Sequence, residues 1–246
     1  MSVVVKGEIL KTISKAVAGI VSDCRIHFTP DKLYIRAVDP SNVAMVTVDV
    51  PKESFEEYNI QSEQVYGVDV QRIAEISKII NANDNVTLDF TDGYMHIRAG
   101  TMEYSIALID PEAIRKEPKT PELKLPAKIT LSADRFKKAL EAADKIADNV
   151  LLKKTQDSFQ IIARGETEKI TISLSPTELL EFTGEGEAKS LFNLEFVKEF
   201  FKIIDSTAPA TIELGTNYPA IFSFLLNKGK VQVKYFLAPR IEEDID

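Results

Sequence analysis

DPEAIRKEPKTPELKLPAK, residues 110–128, holds four of the chain's eleven prolines: Pro111, Pro118, Pro121 and Pro126. Proline has no backbone donor and pushes the residue before it out of the helical region. The stretch is therefore neither a helix nor a central strand. Its charges alternate in sign, which keeps it in water. Leu123 and Leu125 nevertheless stand one residue apart, so in an extended chain they share a side. This is a long exposed connector with a small apolar spot. It falls almost at the midpoint of 246 residues, and the half before it resembles the half after it. Two similar domains, 1–109 and 129–246, joined by the connector 110–128, are expected, and the length suits two domains better than one.

Composition narrows the possibilities. With 44% apolar residues the chain can build real cores, and 28% charged residues make it soluble. Cys24 is the one cysteine, so there is no disulfide framework and a reducing cytosol is the default compartment. Two histidines and one cysteine are too few for a Cys/His zinc site. No apolar run approaches the roughly 20 residues of a membrane helix. The start, MSVVVKGEIL, lacks the pattern of a signal peptide. A net charge of −8 argues against a surface coated with base for nucleic acid, so any such role depends on where the lysines lie.

Four segments have helical periodicity. In Glu8–Ser22 the residues Ile9, Leu10, Ile13, Val17, Ile20 and Val21 fall on one side, while Lys11, Lys15, Ala18 and Ser22 oppose them. Val70–Asn81, capped by Asp69, turns Val70, Ile73, Ile76 and Ile80 inward and Gln71, Glu75 and Lys78 outward, with Arg72 on the flank. Residues 133–147, capped by Ser132, oppose Phe136, Leu140, Ala143, Ile146 and Ala147 to Lys138, Glu141, Ala142 and Lys145. Leu194–Ile204 buries Val197, Phe200, Phe201 and Ile204 and shows Glu195, Lys198, Glu199 and Lys202. Between the helices lie strand patterns at Val3–Val5, Arg25–Phe28, Lys32–Ala37, Ala44–Val50, Val65–Val68, Val86–Phe90, Tyr94–Ala99, Glu103–Ile109 and Ile129–Leu131. Those from Val86 to Ile109 read as an antiparallel meander. Lys52–Gln64 reads as a polar link, and the end, VQVKYFLAPRIEEDID from Val231, as a strand running into a frayed acidic tail.

The halves repeat. A shift of 126 pairs Leu10 with Phe136, Asp31 with Asp157, Leu33 with Phe159, Ile35 with Ile161 and Ala37 with Ala163. A shift of 124 pairs Ile73 with Val197, Glu75 with Glu199 and Lys78 with Lys202. Within each half, strand–helix–strands occurs twice, so the chain reads as four related units of an α+β fold.

Nothing in the sequence builds a catalytic centre. There is no nucleophile motif, phosphate-cradling glycine loop or metal-ligand spacing. Asp39, Asp69 and Asp110 stand where caps and turns use aspartate, so a small hydrolase finds no constellation. His27 and His96 lie in alternating strands and suit a surface or satisfied core imidazole. Lysines on a helix's polar side are ordinarily just solvated. Here the repeat matters: four similar helices carry them on the side away from the core, and helices set side by side by symmetry turn single lysines into a lining. Such a lining meets phosphates without reading bases.

GEILKTISKAV (7–17), IRAVDPSNVAMV (35–46), YGVDVQRIAEISKII (66–80) and YFLAPRIEED (235–244) together resemble the sliding clamps of the proliferating cell nuclear antigen type, in their archaeal form, along essentially the whole chain. The resemblance implies the DNA clamp (processivity) fold. In it, two similar domains each contain two β-α-β-β-β units, with helices on one face of curved antiparallel sheets. Three chains close head to tail into a homotrimeric ring through Tyr104, Ile106 and Leu108 on one edge and Ile170, Ile172 and Leu174 on the other. The helices line the hole, where Lys11, Lys15, Arg72, Lys78, Lys138, Lys145, Lys198 and Lys202 would hold double-stranded DNA without sequence preference. The implied role is that of a non-enzymatic processivity factor in DNA replication and repair, cytoplasmic and nucleoid-associated, with no cofactor, metal or membrane. DNA polymerase, clamp loader, flap endonuclease and DNA ligase would dock through a short glutamine/aromatic peptide. The family's docking positions map onto Val38, Asn42, Val43 and Met45, onto Leu123, Leu125 and Pro126 of the connector, onto Pro219, and onto Leu237, Ala238, Pro239 and Ile241. Several relatives have histidine where this chain has Asn42, lysine at Ala18 and Glu75, and arginine at Glu141. One member of a heterotrimeric ring, acting mainly as an interaction scaffold, is the alternative.

Overall fold

The computed structural model describes residues 1–241. The acidic tail, 242–246, lies outside the described residues. The chain forms two compact units, Met1–Thr120 with Leu225–Val233, and Pro121–Phe224 with Lys234 onward. The division falls inside the connector, and a short piece of the C-terminal half groups with the first unit.

The elements come in the same order twice. The first run is β1 (Ser2–Lys6), α1 (Gly7–Ala18), β2 (Asp23–Phe28), β3 (Lys32–Val38), β4 (Ala44–Pro51), β5 (Glu57–Tyr58), β6 (Gln64–Asp69), α2 (Val70–Ser77), β7 (Asn85–Thr91), β8 (Tyr94–Ala99) and β9 (Met102–Ala107). The second is β10 (Ala127–Ser132), α3 (Ala133–Ala143), β11 (Asn149–Lys154), β12 (Phe159–Arg164), β13 (Lys169–Leu174), β14 (Glu181–Thr183), β15 (Ala188–Asn193), α4 (Leu194–Phe201), β16 (Pro209–Leu214), β17 (Ala220–Leu226) and β18 (Val231–Leu237). In the first unit an antiparallel sheet runs β5-β1-β7-β8-β9, and β4, β3, β2 and β6 pair in that order. In the second, β14, β10, β16 and β17 pair in order, and a separate sheet runs β13-β12-β11-β15.

Alternation sets what is buried. On β3 Leu33, Ile35 and Ala37 point inward, and on β7 Val86, Leu88 and Phe90 do. They meet Ile9, Leu10, Ile13 and Val17 of α1 and Val70 and Ile73 of α2, all buried. Each such side chain contributes about 1.5–3 kcal/mol. The second core is more aromatic. Phe136 packs 4.6 Å from Phe201, and Phe200 stacks on Tyr235 at 4.2 Å.

The helices end earlier than their periodicity predicts, at Ala18, Ser77, Ala143 and Phe201. Each then tightens into turns closed by bonds to the third residue back, such as Ile20 N–H to the Val17 carbonyl and Ile146 N–H to that of Ala143. Ile20, Ile80 and Ile204 stay buried, so the apolar stripe runs on past the regular helix. Two further differences have local causes. The polar link contains β5, too short for any periodicity, paired to β1 at Val3↔Tyr58. Strand β9 stops at Ala107 because the Leu108 and Ile109 amides turn to the carbonyls of Gly93 and Gly67.

An α-helix leaves its first amide donors without partners. Here neighbouring helices supply them reciprocally. The Gly7 and Glu8 amides at the start of α1 donate to Asp84 and Ala82 beyond α2, both at 2.9 Å. Those of Val70 and Gln71 at the start of α2 donate to Ser22 beyond α1, at 3.0 and 3.5 Å. In the second unit, Ala133 and Asp134 donate to Ala208 and Ser206 beyond α4, and Leu194 to Asp148 beyond α3. Side-chain caps are secondary: Asp69 accepts from the Arg72 amide and Asn193 from Glu195 and Phe196. Ser132, expected to cap α3, stands at the cap position without a side-chain bond, because the backbone carbonyls already take those amides.

This exchange demands close approach at Gly7, where an added Cβ would lie 2.2 Å from the Asn81 carbonyl oxygen. Gly7→Ala is expected to destabilise the fold by on the order of 1–3 kcal/mol, read as a lower urea midpoint. An unchanged midpoint would show that the start of α1 can slide away from the 81–84 turn.

Candidate nucleic-acid interface and partner surface

In each unit two helices pack side by side with their polar faces outward. The buried hydroxyls of Ser14 and Ser77 bond at 3.3 Å between α1 and α2. Gln71 donates to the Ala18 carbonyl at 2.7 Å and Lys137 to that of Ile204 at 2.5 Å, tying one helix of each pair to the end of the other. Lys11, Lys15, Arg72, Lys78, Lys138, Lys145 and Lys202 are exposed, and Lys198 is half-buried. All eight sit away from the apolar stripes, as their positions in the sequence predict.

Several of these cations have an acidic neighbour. Lys78 pairs with Glu75 at 2.7 Å, Lys138 with Asp134 at 2.8 Å and Lys198 with Asp144 at 2.5 Å, and Lys202 pairs with Glu199. Exposed pairs of this kind contribute about 0–1 kcal/mol. They are weak enough to yield to a phosphate. Between α3 and α4 the outer face holds a groove of about 250 Å³ floored by Leu140 and Phe201 and rimmed by Lys137, Glu141, Lys198 and Lys202. Periodicity sets Lys137 on the flank of α3, so the sequence pattern does not single it out.

Two strands end their sheets. β9 is the last strand beyond β8, and β13 the last beyond β12. On β9 Tyr104 is half-buried and Ile106 buried; on β13 Ile170 and Ile172 are half-buried and Leu174 is buried. Leu108, grouped with the first edge from sequence, lies just past the end of β9.

In the first unit the positions expected to dock a partner cluster at the β3–β4 turn, where Val38 pairs with Met45. Asp39 organises the turn: its carboxylate accepts from the amides of Ser41, Val43 and Ala44 and from the Ser41 hydroxyl, at 2.6–2.8 Å. Burial pushes that carboxyl up, but these bonds outweigh it and hold it below the usual carboxylate range. The turn also sets Asn42 at φ 60°, a left-handed conformation that asparagine tolerates. Met45 is buried, so it can only back a surface, while Asn42 is exposed.

The connector is fastened beside this turn. Arg115 donates to the carbonyls of Asp39 and Pro40 and to Asn42 Oδ1, at 3.0, 3.2 and 2.5 Å. Arg25 holds the carbonyls of Pro111 and Ile114 at 2.8 and 3.1 Å. Between these fastenings lies a cleft of about 150 Å³ lined by Cys24, Val38 and Ile114 among others. No pattern marks Arg25 or Arg115 in the sequence, because their partners are backbone carbonyls far along the chain.

In the second unit Leu125 and Pro126 lie over the 215–219 turn: a Cβ on Gly215 would come 3.3 Å from Leu125 Cδ2 and 3.7 Å from Pro126 Cδ. Ser190 fixes that turn by donating to the Gly215 carbonyl at 2.8 Å and accepting from the Tyr218 amide at 3.1 Å. Leu123, Pro219, Ala238 and Pro239 are half-buried, Leu237 is fully buried and Ile241 is 92% exposed. Beyond β18 the Arg240 amide bonds the Leu191 carbonyl at 2.7 Å, which ties the chain end to β15. Among the described residues no helix is long and apolar enough to cross a membrane.

The family model for the proliferating cell nuclear antigen, N-terminal domain, matches residues 2–102. The chain is 50% identical over 245 residues to the DNA polymerase sliding clamp of Archaeoglobus fulgidus, covering 99% of this chain and 100% of that one. A solved structure of A. fulgidus PCNA, bound to the C-terminal region of FEN-1, superposes with a TM-score of 0.94 at 50% identity over 99% of both chains. A chain of the PCNA2–PCNA3 complex from Sulfolobus tokodaii superposes at 0.85 with 25% identity, over 98% of this chain and 99% of that one. Identity of this extent on the same repeated architecture has one meaning: the chain belongs to the archaeal DNA polymerase sliding clamps, of the proliferating cell nuclear antigen family.

Proposed function

We propose that three copies of this chain close head to tail into a ring that encircles duplex DNA in the cytoplasm and tethers replication and repair enzymes to it. The chain catalyses nothing in this role; topology supplies the processivity. The observation that carries the ring is the pair of sheet-ending strands. A six-residue strand with an open backbone edge is a template for pairing, which folded proteins cover or blunt. One chain presents two such edges on different sheets, β9 and β13. Joining one to the other is a heterologous contact that closes a ring when the rotation allows. Identical copies suffice, which favours a homotrimer over a mixed ring. Light scattering of the pure protein should give a trimer mass, and Ile106→Pro or Ile172→Pro should reduce it to monomer by removing a ladder donor. Trimers in both variants at micromolar concentration would sink the β9–β13 pairing.

The helices would face the DNA. Lys11, Lys15, Arg72, Lys78, Lys138, Lys145, Lys198 and Lys202 supply attraction that ignores sequence, and the acidic excess elsewhere repels DNA from wrong surfaces. Replacing several with alanine is expected to weaken DNA loading and flatten its salt dependence, by about 0.9 in the log–log slope for each phosphate no longer neutralised. Thermal stability should hold, since none of these side chains packs in a core. An unchanged slope would count against the lining.

For partners, the A. fulgidus clamp supplies the precedent, since it is bound to the C-terminal region of FEN-1. We assign the equivalent role here to the 38–45 turn, to Leu123, Leu125 and Pro126, to Pro219 and to 237–241. A polymerase, nuclease, ligase or loader peptide would bury apolar anchors there and add main-chain bonds to the neighbouring chain. A few anchors should dominate, each worth more than about 1 kcal/mol. Leu125→Ala is expected to raise the Kd for such a peptide roughly five- to tenfold while leaving the trimer mass unchanged. Calorimetry and light scattering on one sample check both, and unaltered affinity in Leu125→Ala and Met45→Ala alike would refute the assignment.

A further inference from the structure

His27 is a buried side chain on β2 with a carboxylate at each ring nitrogen. Nδ1 lies 3.1 Å from Glu63 Oε1 and Nε2 lies 2.8 Å from Glu117 Oε1. A neutral imidazole offers one N–H and one lone pair, so it can serve only one of them and turns its lone pair on the other. The imidazolium donates to both. Other groups around it favour that charge or leave it alone. From β3, Tyr34 stacks on the ring at 4.4 Å and 10°, and its hydroxyl donates to the same Glu63 oxygen at 3.1 Å. Arg36, also on β3, lies over the Tyr34 ring but is held by both oxygens of Asp49, at 2.9 and 2.8 Å. Lys32 is held by the same carboxylate. Arg25, on β2, is turned to the Pro111 and Ile114 carbonyls. From β6, the residue opposite His27 is the uncharged Val65.

Glu117 belongs to the connector. The other two fastenings of this stretch, Arg25 and Arg115, are guanidinium groups that keep their charge at any physiological pH. The contact at His27 is the one that can lose its charge near neutrality. We infer that His27 is a positioning residue: its imidazolium latches the connector at Glu117 onto the sheet of the first unit, and loss of that proton frees the segment that leads to Leu123 and Leu125. The consequence for docking rests on the partner reading above; the latch itself does not.

The pH response has a definite direction. Burial lowers the imidazole's affinity for a proton, but the hydrogen bonds to Glu117 and Glu63 outweigh it and raise the ring above its ordinary value of 6.5. Its folded value thus exceeds the unfolded one. The latch is complete below about pH 6.5 and is lost as pH rises through the raised value.

The test uses the whole protein without partner or DNA, so it does not depend on the clamp reading. NMR of the imidazole nitrogens gives the His27 midpoint, and backbone 13Cα relaxation gives the order of residues 116–120 across pH 5.5–9. The expected wild-type midpoint is above 6.5, with the order of 116–120 lost as pH passes it. Glu117→Gln should lower the midpoint and leave 116–120 mobile at every pH. Glu63→Gln should lower the midpoint and move the loss of order down with it. A wild-type midpoint at or below 6.5, or order of 116–120 that ignores pH in the wild type, would overturn the latch. So would a Glu117→Gln protein as ordered there as the wild type at pH 6, whereas a merely structural contact would show that loss without any pH dependence.

Discussion

The reciprocal capping of paired helices is the constraint on which the rest depends. Each helix begins where its strand ends, at Lys6, Asp69, Ser132 and Asn193. Its first amides need acceptors, and the carbonyls just beyond the neighbouring helix supply them. Neither helix of a pair can then be placed without the other. This locks α1 against α2 and α3 against α4 with their apolar stripes on the sheets. The polar sides are left facing out together, which is what makes isolated lysines into a shared surface.

That surface is electrostatically guarded. The helices and their ends carry acids as well as bases, and Glu75, Asp134, Asp144 and Glu199 each hold a lysine. Such pairs are cheap to break in water and dissolve with salt. Acid beside base lowers the pull of this face on any polyanion without removing it.

The connector is less free than its prolines suggest. Proline excludes helix and sheet there, but three side chains of the first unit hold its early part: Arg25 and His27 from β2, and Arg115 returning to the 39–42 turn. The turn and the connector thereby become one piece. Asn42 is engaged by Arg115 rather than left open to a ligand.

Periodicity and alternation in the sequence alone determined the four amphipathic helices, nearly all the strands, the repeat and the outward set of Lys11, Lys78, Lys138 and Lys202. These come from whether neighbouring residues prefer water or oil, a property carried by local composition. Tertiary structure alone decided where each helix stops, the two-residue strand β5, the absence of a side-chain bond from Ser132, and the fastening of Glu117 by His27. The last three turn on pairings between groups far apart in sequence: Val3 with Tyr58, Ala133 with Ala208, His27 with Glu117. A polar group's partner is set by distance and angle within a few tenths of an ångström, and only the folded chain specifies those.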